Sequence, residues 1–455
     1  MRKIRIFMMV AAALALALPA TAADFKFSGD MNHRFNLYTN QAGLYNGVEG
    51  VKDTGTKGSI DEDDVDEFFG EIKYRLQTEA STNDGKVKAV YAVELGAMRF
   101  GQNYTKGGGA GYSGDGVNIE TRFAYTDIQL PAGDKTRLVI GLQPFSVNSF
   151  LWHETAMGVK LTGDAGPVDY TLAWMRGKEY FNDDEEDDFF EDADAFLLRG
   201  DMRPAEEVKL GLFALYQMAN PGDDAAAPTY SYLLKEVNNV DYDLLTLGVD
   251  GSMSAGNLFA NWDLMFQDGD AQDATGADSD IQGYLLHADL GFTFGKTKLT
   301  YTSWYASGDD DDTDTDMDNF IATDLDRFDS VIFFEGGYTD DNYFTEAPYI
   351  LNKGIFFNKL AVDHQATDKL KVGGALMYVM TAEDLTLADN SKEDKLGTEI
   401  DAYVSYALYP NVELALNLGY LFADDGMDYW EMADQQDGES DTDIYRSTMR
   451  VRYSF

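Results

Sequence analysis

Three arginines near the end of the chain have a spacing that could line a water-filled path. Arg446, Arg450 and Arg452 alternate with apolar neighbours such as Val451 and Tyr453. In an extended strand alternate side chains point to opposite faces, so the three guanidinium groups share one face. A basic side chain held against lipid near the midplane of a bilayer costs about 2–4 kcal/mol. We therefore expect these arginines to face water.

The same alternation assigns charged residues of other segments to a common polar face. The candidate basic residues of this face are Lys26, Arg34, Lys73, Arg75, Arg122 and Arg137, together with the three C-terminal arginines. The candidate acidic residues are Asp30, Glu71 and Glu120. Two interpretations stay open. The basic residues could form a stripe opposed by acids on an inward loop, which would set a field across a channel, or they could pair with nearby acids and only stiffen the wall.

An aspartate-rich segment could bind cations. Asp312, Asp314, Asp316 and Asp318 place carboxylates at every second position, which suits a hard divalent cation. The segment lacks the glycine and glutamate of an EF-hand loop, so weak loop-bound divalent cations are the most it predicts. A merely solvated acidic loop is the alternative. No other metal or cofactor is expected.

The sequence gives little support for catalysis. Its histidines are scattered, at positions 33, 153, 287 and 364, and neither a G-x-S-x-G nor an H-E-x-x-H motif is present. Asp289 shares a strand face with His287, but such neighbours are common on a polar wall. We therefore expect a protein that is not an enzyme.

Composition and the N-terminus indicate an exported protein. Basic residues among the first five precede the apolar run Ile6–Leu18 and small residues that end at Ala22. This order predicts a signal peptide over residues 1–22 and a mature chain over 23–455. A formal charge of −45 argues against nucleic-acid partners, and the absence of cysteine excludes a disulfide scaffold. No apolar run in the rest of the chain reaches 18 residues, which argues against a helical membrane protein.

The elements that must position these residues are β-strands. Period-two alternation recurs along the chain, for example at both ends, and predicts 16 to 18 strands, with 18 as the best count. The predicted strands start near residues 25, 66, 86, 118, 136, 155, 168, 195, 208, 241, 257, 281, 296, 350, 370, 398, 412 and 443.

The connections between these strands alternate in length. Short ones, such as Pro410-Asn411, alternate with long ones, and the long ones are rich in acid, as at 183–194 and 309–329. Tight turns on one rim and long loops on the other are typical of outer-membrane barrels. The fold class predicted is an all-β transmembrane antiparallel barrel with short periplasmic turns and long acidic extracellular loops. Sixteen or more strands leave room for an aqueous channel.

The chain also resembles a known group of proteins. The ending Tyr445–Phe455 looks like the C-terminal strand of Gram-negative outer-membrane porins. Internal stretches, Gly141-Leu142-Gln143, Trp152–Leu161 and Leu396–Asp424, resemble homotrimeric porins of sulfate-reducing bacteria, and the last is also similar to alginate-export barrels. The resemblance implies a homotrimer in the outer membrane and recognition of Tyr453 and Phe455 by the barrel-assembly machinery. The PEFGG motif of the long third loop of enteric porins is absent.

Together these features predict an outer-membrane porin for the passive diffusion of small hydrophilic solutes and ions. Its partners would be the lipid bilayer, its own copies, the assembly machinery and the solutes, with no nucleic acid. One alternative is a substrate-specific barrel that exports an acidic polysaccharide, which would need a strongly positive interior. Another is a structural or adhesive barrel whose channel is plugged.

Overall fold

The computed structural model describes most of the predicted mature chain. The described residues are 24–39, 67–101, 103–104, 108–109, 119–133, 135–179, 192–221, 234, 240–272, 276–311, 314–325, 330–333, 352–430 and 443–455. The predicted signal peptide and the acidic run 183–191 lie outside them.

Eighteen antiparallel strands form one closed sheet. They are β1 Asp24–Thr39, β2 Glu67–Ser81, β3 Val87–Arg99, β6 Glu120–Gln129, β7 Arg137–Asn148, β8 Trp152–Ala165, β9 Val168–Lys178, β10 Ala193–Ala205, β11 Val208–Ala219, β12 Asp241–Ala255, β13 Leu258–Gln272, β14 Asp278–Phe294, β15 Thr297–Ala306, β16 Ile355–Gln365, β17 Leu370–Thr386, β18 Lys392–Tyr409, β19 Val412–Ala423 and β20 Ile444–Ser454. A separate hairpin joins the two-residue strands β4 Asn103–Tyr104 and β5 Gly108–Gly109, and a 3₁₀ helix spans Asp425–Trp430.

This architecture confirms the predicted fold class and the count of 18 strands. Each predicted strand corresponds to an observed one, and the largest differences in starting residue are at β16 and β18. At β18 the paired region begins earlier than the alternation suggests, because β-bulges shift its register against β17. A bulge adds an unpaired residue and so breaks the period-two pattern.

The first and last strands close the barrel. β1 pairs with both β2 and β20, and Asn32 lies opposite Arg452 in the second pairing. The amide of Phe455 donates to the carbonyl of Gly29 at 3.0 Å, and the amide of Gly29 donates back at 2.9 Å. The chain therefore hydrogen-bonds to its own beginning through its last residue, and the sheet keeps no open edge.

The two ends of the barrel differ in the length of the connections between strands. The turn between β2 and β3 is short, and its Asp84 carboxylate accepts hydrogen bonds from the Thr82 hydroxyl and the Lys86 amide. These bonds lower the pKa of Asp84 to about 2. Asp24, at the start of β1, lies opposite Ser81 beside this turn, so both ends of the described chain lie at the short-turn end. The long connections, between β1 and β2 and between β15 and β16, join strand ends at the other end of the barrel.

The outer face of the barrel is apolar. Its exposed large side chains include Phe25, Phe27, Leu198, Leu247, Leu264, Leu290, Leu360, Leu376, Tyr453 and Phe455. The rings of Tyr453 and Phe455 stack on this face with centroids 5.5 Å apart. Within the described residues, no helix is long and apolar enough to cross a membrane.

The closure site leaves no room for a side chain at Gly29. A Cβ there would lie 2.6 Å from both Cζ of Phe455 and the carbonyl oxygen of Arg75. We expect Gly29→Ala to destabilise the barrel by about 1–3 kcal/mol, the usual cost of overpacking. Gly177→Ala is the matched control, because a Cβ on Gly177 makes only ordinary contacts, the nearest at 3.5 Å. Unfolding in urea, followed by gel mobility of the unheated protein, measures both. Equal stability of the two variants would contradict the prediction.

Candidate channel lumen

The long connection between β15 and β16 shows which face of the sheet is interior. Its described parts contact strands far apart around the ring. Thr323 bonds to Gln217 on β11 at 3.0 Å, and the Ile321 amide donates to Gln267 on β13 at 2.8 Å. The carbonyl of Val331 accepts from Arg446 on β20 at 2.9 Å. A segment that reaches β11, β13 and β20 lies inside the barrel, so these side chains mark the inner face.

The predicted basic residues at the closing seam are paired with acids on that face. Arg34 and Glu71, both buried, form an ion pair at 2.9 Å, and Asn36 also donates to Glu71. Arg450 pairs with Glu413 on β19 at 2.5 Å. Arg452 contacts Asp30 on β1. Because each carboxylate belongs to a strand of the wall itself, the wall neutralises much of its own charge.

Glu94 on β3 is the centre of the next charge cluster. Lys73 lies 3.0 Å from it and Arg122 lies 3.1 Å from it, and Arg75 also contacts it. Arg122 reaches this inner-face carboxylate from a β-bulge between β3 and β6, where Ala92 pairs with Phe123 and Val93 with Thr121. The bulge changes the alternation beyond it. Simple parity therefore does not describe the rest of β6, although Arg122 still points inward.

The remaining predicted wall residues lie nearer the short-turn end or on β6. Arg137 donates to Asp127 at 2.7 Å. Lys26 is exposed and lies opposite Glu79 in the register of β1 and β2. Glu120 is exposed and lies opposite Glu94. These described ion pairs favour the interpretation in which the basic residues pair with nearby acids of the wall over a basic stripe opposed by acids on an inward loop.

The inward segment contacts the wall differently from the sequence-based expectation, which placed its acids opposite the basic stripe. In the described part of this segment, it is the backbone amides that face acids on the wall. Glu399 on β18 accepts from the amides of Val331, Ile332 and Phe333 at 2.9, 2.6 and 3.1 Å. Asp401 accepts from the Val331 amide at 3.0 Å. Wall carboxylates therefore hold the segment, and Glu399 is fully buried by it.

A second inward segment follows β7. Phe150 and Leu151 are fully buried, and the Leu151 carbonyl accepts from Thr323 of the other inward segment at 2.7 Å. The two segments and the wall share one apolar cluster. Its members include Phe145, Phe150, Leu151, Trp152, Met265, Leu285, Trp304, Phe320, Ala322, Ile332, Phe333, Phe357, Met377 and Val379. This cluster occupies part of the lumen and narrows it, which the alternation pattern does not reveal.

Sequence reasoning missed that one inner-face arginine reaches across a whole strand. Arg199 on β10 bonds to Asp201 at 2.7 Å and to Asp250 on β12 at 2.6 Å. It reaches Asp250 across β11 because Gly211 has no side chain, and a Cβ there would lie 2.4 Å from the guanidinium. A glycine at an inner-face position of an otherwise alternating strand is the signal that could have indicated this crossing.

A polar cavity of about 720 Å³ opens beside this arginine. Its lining combines side chains of the wall with the inward segment after β7, and it extends to turns of the short-turn end, at Lys135 and Pro167. Charged side chains of both signs line it, including Arg203, Lys209, Asp250 and Asp263. The cavity has the polar lining expected of a path for hydrophilic solutes.

The aspartate-rich segment is only partly described. Asp312 lies outside the described residues. Partial burial, followed by the nearby carboxylates of Asp310, Asp316 and Asp314, raises the pKa of Asp318. The Asp280 amide donates to the Asp316 carboxylate at 3.1 Å. Among the residues that the structure describes, no three His, Cys, Asp or Glu side chains are grouped to hold a metal ion.

Comparisons with known proteins give a fold and no family. Neither protein families nor curated proteins match the sequence. The chain is similar to OccK8 (OprE) of Pseudomonas aeruginosa, with a TM-score of 0.55 and 10% identity over 95% of this chain and 98% of that one. It is similar to the outer membrane protein OprD of the same organism, with a TM-score of 0.54 and 11% identity over 94% of each chain. It is also similar to OccK2 (OpdF) of the same organism, solved in complex with glucuronate. The TM-score is 0.53 and the identity 14% over 95% of this chain and 96% of that one.

We expect the buried Arg34–Glu71 pair to be important for the stability of the barrel. Removing one partner of a buried pair leaves a buried charge and costs about 3–5 kcal/mol, whereas an exposed pair contributes about 0–1 kcal/mol. We expect Arg34→Ala to lower the free energy of unfolding in urea substantially. Lys371→Ala, which removes the exposed Lys371–Asp363 pair, is the control and should leave it nearly unchanged. Similar losses in the two variants would show that burial does not set the strength of these pairs.

Proposed function

We propose that this protein is an outer-membrane channel of a Gram-negative bacterium, of the porin type, for passive diffusion of small hydrophilic solutes. The observation that carries the proposal is a closed barrel with an apolar outer belt and a charged, ion-paired inner face. The belt matches a lipid bilayer, and the inner face suits water. The similarity in fold to OprD, which is named an outer membrane protein, supports this location.

The proposed mechanism is size exclusion combined with the field of lumenal charges. Solutes would enter at the long-loop end, which we place outside the cell, and pass the inward segments before the polar cavity at the periplasmic end. Paired wall charges such as Arg450–Glu413 present both signs to a solute. Selectivity then follows from aperture and local charge, without energy coupling.

The two alternatives differ in what the lumen should contain. Export of an acidic polysaccharide needs a strongly positive interior, and the pairing of Arg34, Lys73, Arg75 and Arg122 with Glu71 and Glu94 argues against it. The apolar cluster inside the barrel favours the plugged alternative more than the sequence did. We prefer the channel to the plugged barrel because a polar cavity, which suits hydrophilic solutes, adjoins that cluster.

Three further parts of the proposal concern partners. The resemblance to homotrimeric porins supports a trimer, which native mass spectrometry in mild detergent would detect and a monomeric mass would contradict. The exposed, stacked rings of Tyr453 and Phe455 are accessible for recognition by the barrel-assembly machinery. Asp314, Asp316 and Asp318 would attract divalent cations weakly, and an unchanged melting temperature in calcium would contradict this.

Conductance of single channels in a planar bilayer tests the proposed function. We expect steady conductance from the wild type and a larger one from Glu399→Ala, because the amides of Ile332 and Phe333 lose their acceptor and the Val331 amide keeps only Asp401, so the segment is held less firmly on the wall. Glu120→Ala removes an exposed glutamate that is assigned to the inner face by its position opposite Glu94, and is the matched control. No conductance from the wild type would contradict the channel and favour a plugged barrel.

Ion selectivity tests the role of the paired arginines. Replacing Arg450 and Arg452 with serine leaves the carboxylates of Glu413 and Asp30 without these cationic partners. We expect the reversal potential in a salt gradient to shift toward cation preference. Lys86→Ser with Lys369→Ser removes the same charge from exposed positions in short turns outside the cavity lining and should shift the reversal potential less. A double arginine variant with unchanged selectivity would mean that these pairs act only in the structure of the wall.

A further inference from the structure

A row of charged side chains crosses five neighbouring strands of the inner wall. In the pairing register, Asp201 lies opposite Gly211, Gly211 opposite Asp250, Asp250 opposite Asp263, and Asp263 opposite His287. Residues directly opposite each other share a face of the sheet. The register therefore brings three carboxylates and one imidazole into one continuous row on the inner face, beside the segment that follows β7.

Arg199 balances one half of this row. Its guanidinium bonds to both carboxylate oxygens of Asp201 and of Asp250, and it also donates to the carbonyl of Val147 at 3.2 Å. Val147 lies at the end of β7, where the inward segment begins. One fully used arginine thus connects the wall to the base of that segment.

His287 balances the other half. Its Nδ1 lies 2.5 Å from Asp263 and its Nε2 lies 3.3 Å from Asp289 on its own strand. The residue is only 6% exposed. A protonated imidazole can donate to both carboxylates, whereas a neutral one can donate with a single nitrogen. The number of hydrogen bonds that His287 can donate therefore depends on one proton.

The same side chains hold the tip of the inward segment. Asn148 donates to Asp263 at 2.6 Å, and its side-chain oxygen accepts from the amide of Phe150 at 2.9 Å. The Phe150 ring lies over His287, with centroids 4.8 Å apart. On the far side, β15 contributes Trp304 opposite His287 and the Thr302 hydroxyl, which donates to Asp289. Among these described contacts, Asp263 and Asp289 are the charged groups that face His287.

We propose that Arg199 and His287 are positioning residues that hold the segment Val147–Trp152 against the wall, and that the protonation of His287 adjusts the aperture of the channel. The proposal rests on the proposed function. With the imidazole protonated, both carboxylates are bridged and Phe150 packs on a fixed ring. When the proton leaves, one of these partly buried carboxylates loses the donor that His287 supplied, and its charge is less well balanced. The contacts that hold the segment then weaken, and the segment moves away from the wall.

The test is single-channel conductance of the whole protein between about pH 5 and pH 9, a range that brackets ordinary histidine titration. We expect the conductance of the wild type to rise, with more frequent switching between levels, as the pH is raised. In His287→Gln, which keeps one donor and cannot take up a proton, this pH dependence should be lost. His364→Gln is the matched control, because His364 bonds to Thr297 near a short turn, away from the row, and it should behave as the wild type.

Several results would overturn the inference. A wild-type conductance that does not change with pH, or a change that persists in His287→Gln, removes the role of the proton while leaving the proposed channel intact. No conductance at all from the wild type overturns the proposed function and this inference with it. Gly211→Ala gives an independent check on the attachment of the segment through Arg199, because the added Cβ would lie 2.4 Å from both Arg199 and Asp250. It should raise the conductance without removing the pH dependence, and an unchanged conductance would contradict the role of Arg199.

Discussion

The structure depends on the pairing of the last strand with the first. A sheet that spans hydrocarbon cannot leave backbone donors and acceptors unpaired, because each costs several kcal/mol without water. The hydrogen bonds between Gly29 and Phe455 complete the ring, and every barrel strand then has two neighbours. Closure also fixes orientation. Once the ring is complete, each strand has one face toward the bilayer and one toward the lumen, so the alternation of the sequence becomes a separation of apolar and charged side chains.

Inside the ring a second constraint applies, because charges that leave bulk water need partners. The wall supplies most of them from neighbouring strands, as Glu94 does for Lys73, Arg75 and Arg122. The inward segment between β15 and β16 needs no charge of its own to bind at Val331–Phe333, because Glu399 accepts the backbone amides there. Apolar side chains such as Phe150 and Phe333 then fill the space between wall and segments. The result is a narrowed lumen with charges of both signs on its polar side.

The sequence predicts the parts of this arrangement that follow from local patterns. Period-two alternation gave the strands and the face of Arg446, Arg450 and Arg452, because strand geometry alone decides which side chains share a face. It could not give the entry of residues 317–325 and 330–333 into the lumen, because that entry depends on contacts with residues that are in some cases more than a hundred positions away, such as Arg446. Nor could it give the crossing of Arg199 to Asp250, which requires a register across three strands and a glycine between them.

A disulfide trap tests most directly whether the long connection between β15 and β16 lies in the lumen. The chain has no cysteine, so a designed pair reports without background. A Cβ on Gly419 would lie 2.9 Å from that of Val331, so a small outward shift of the segment brings the two to the roughly 3.5–4.5 Å that a disulfide spans. The account predicts that Val331→Cys with Gly419→Cys forms a cross-link on mild oxidation in membranes, seen as a faster band on a denaturing gel without reductant. Val331→Cys with Leu418→Cys, whose second site is on the outer face, should not. Absence of the first cross-link, or equal formation of both, would contradict an inward segment held by β18 and β20.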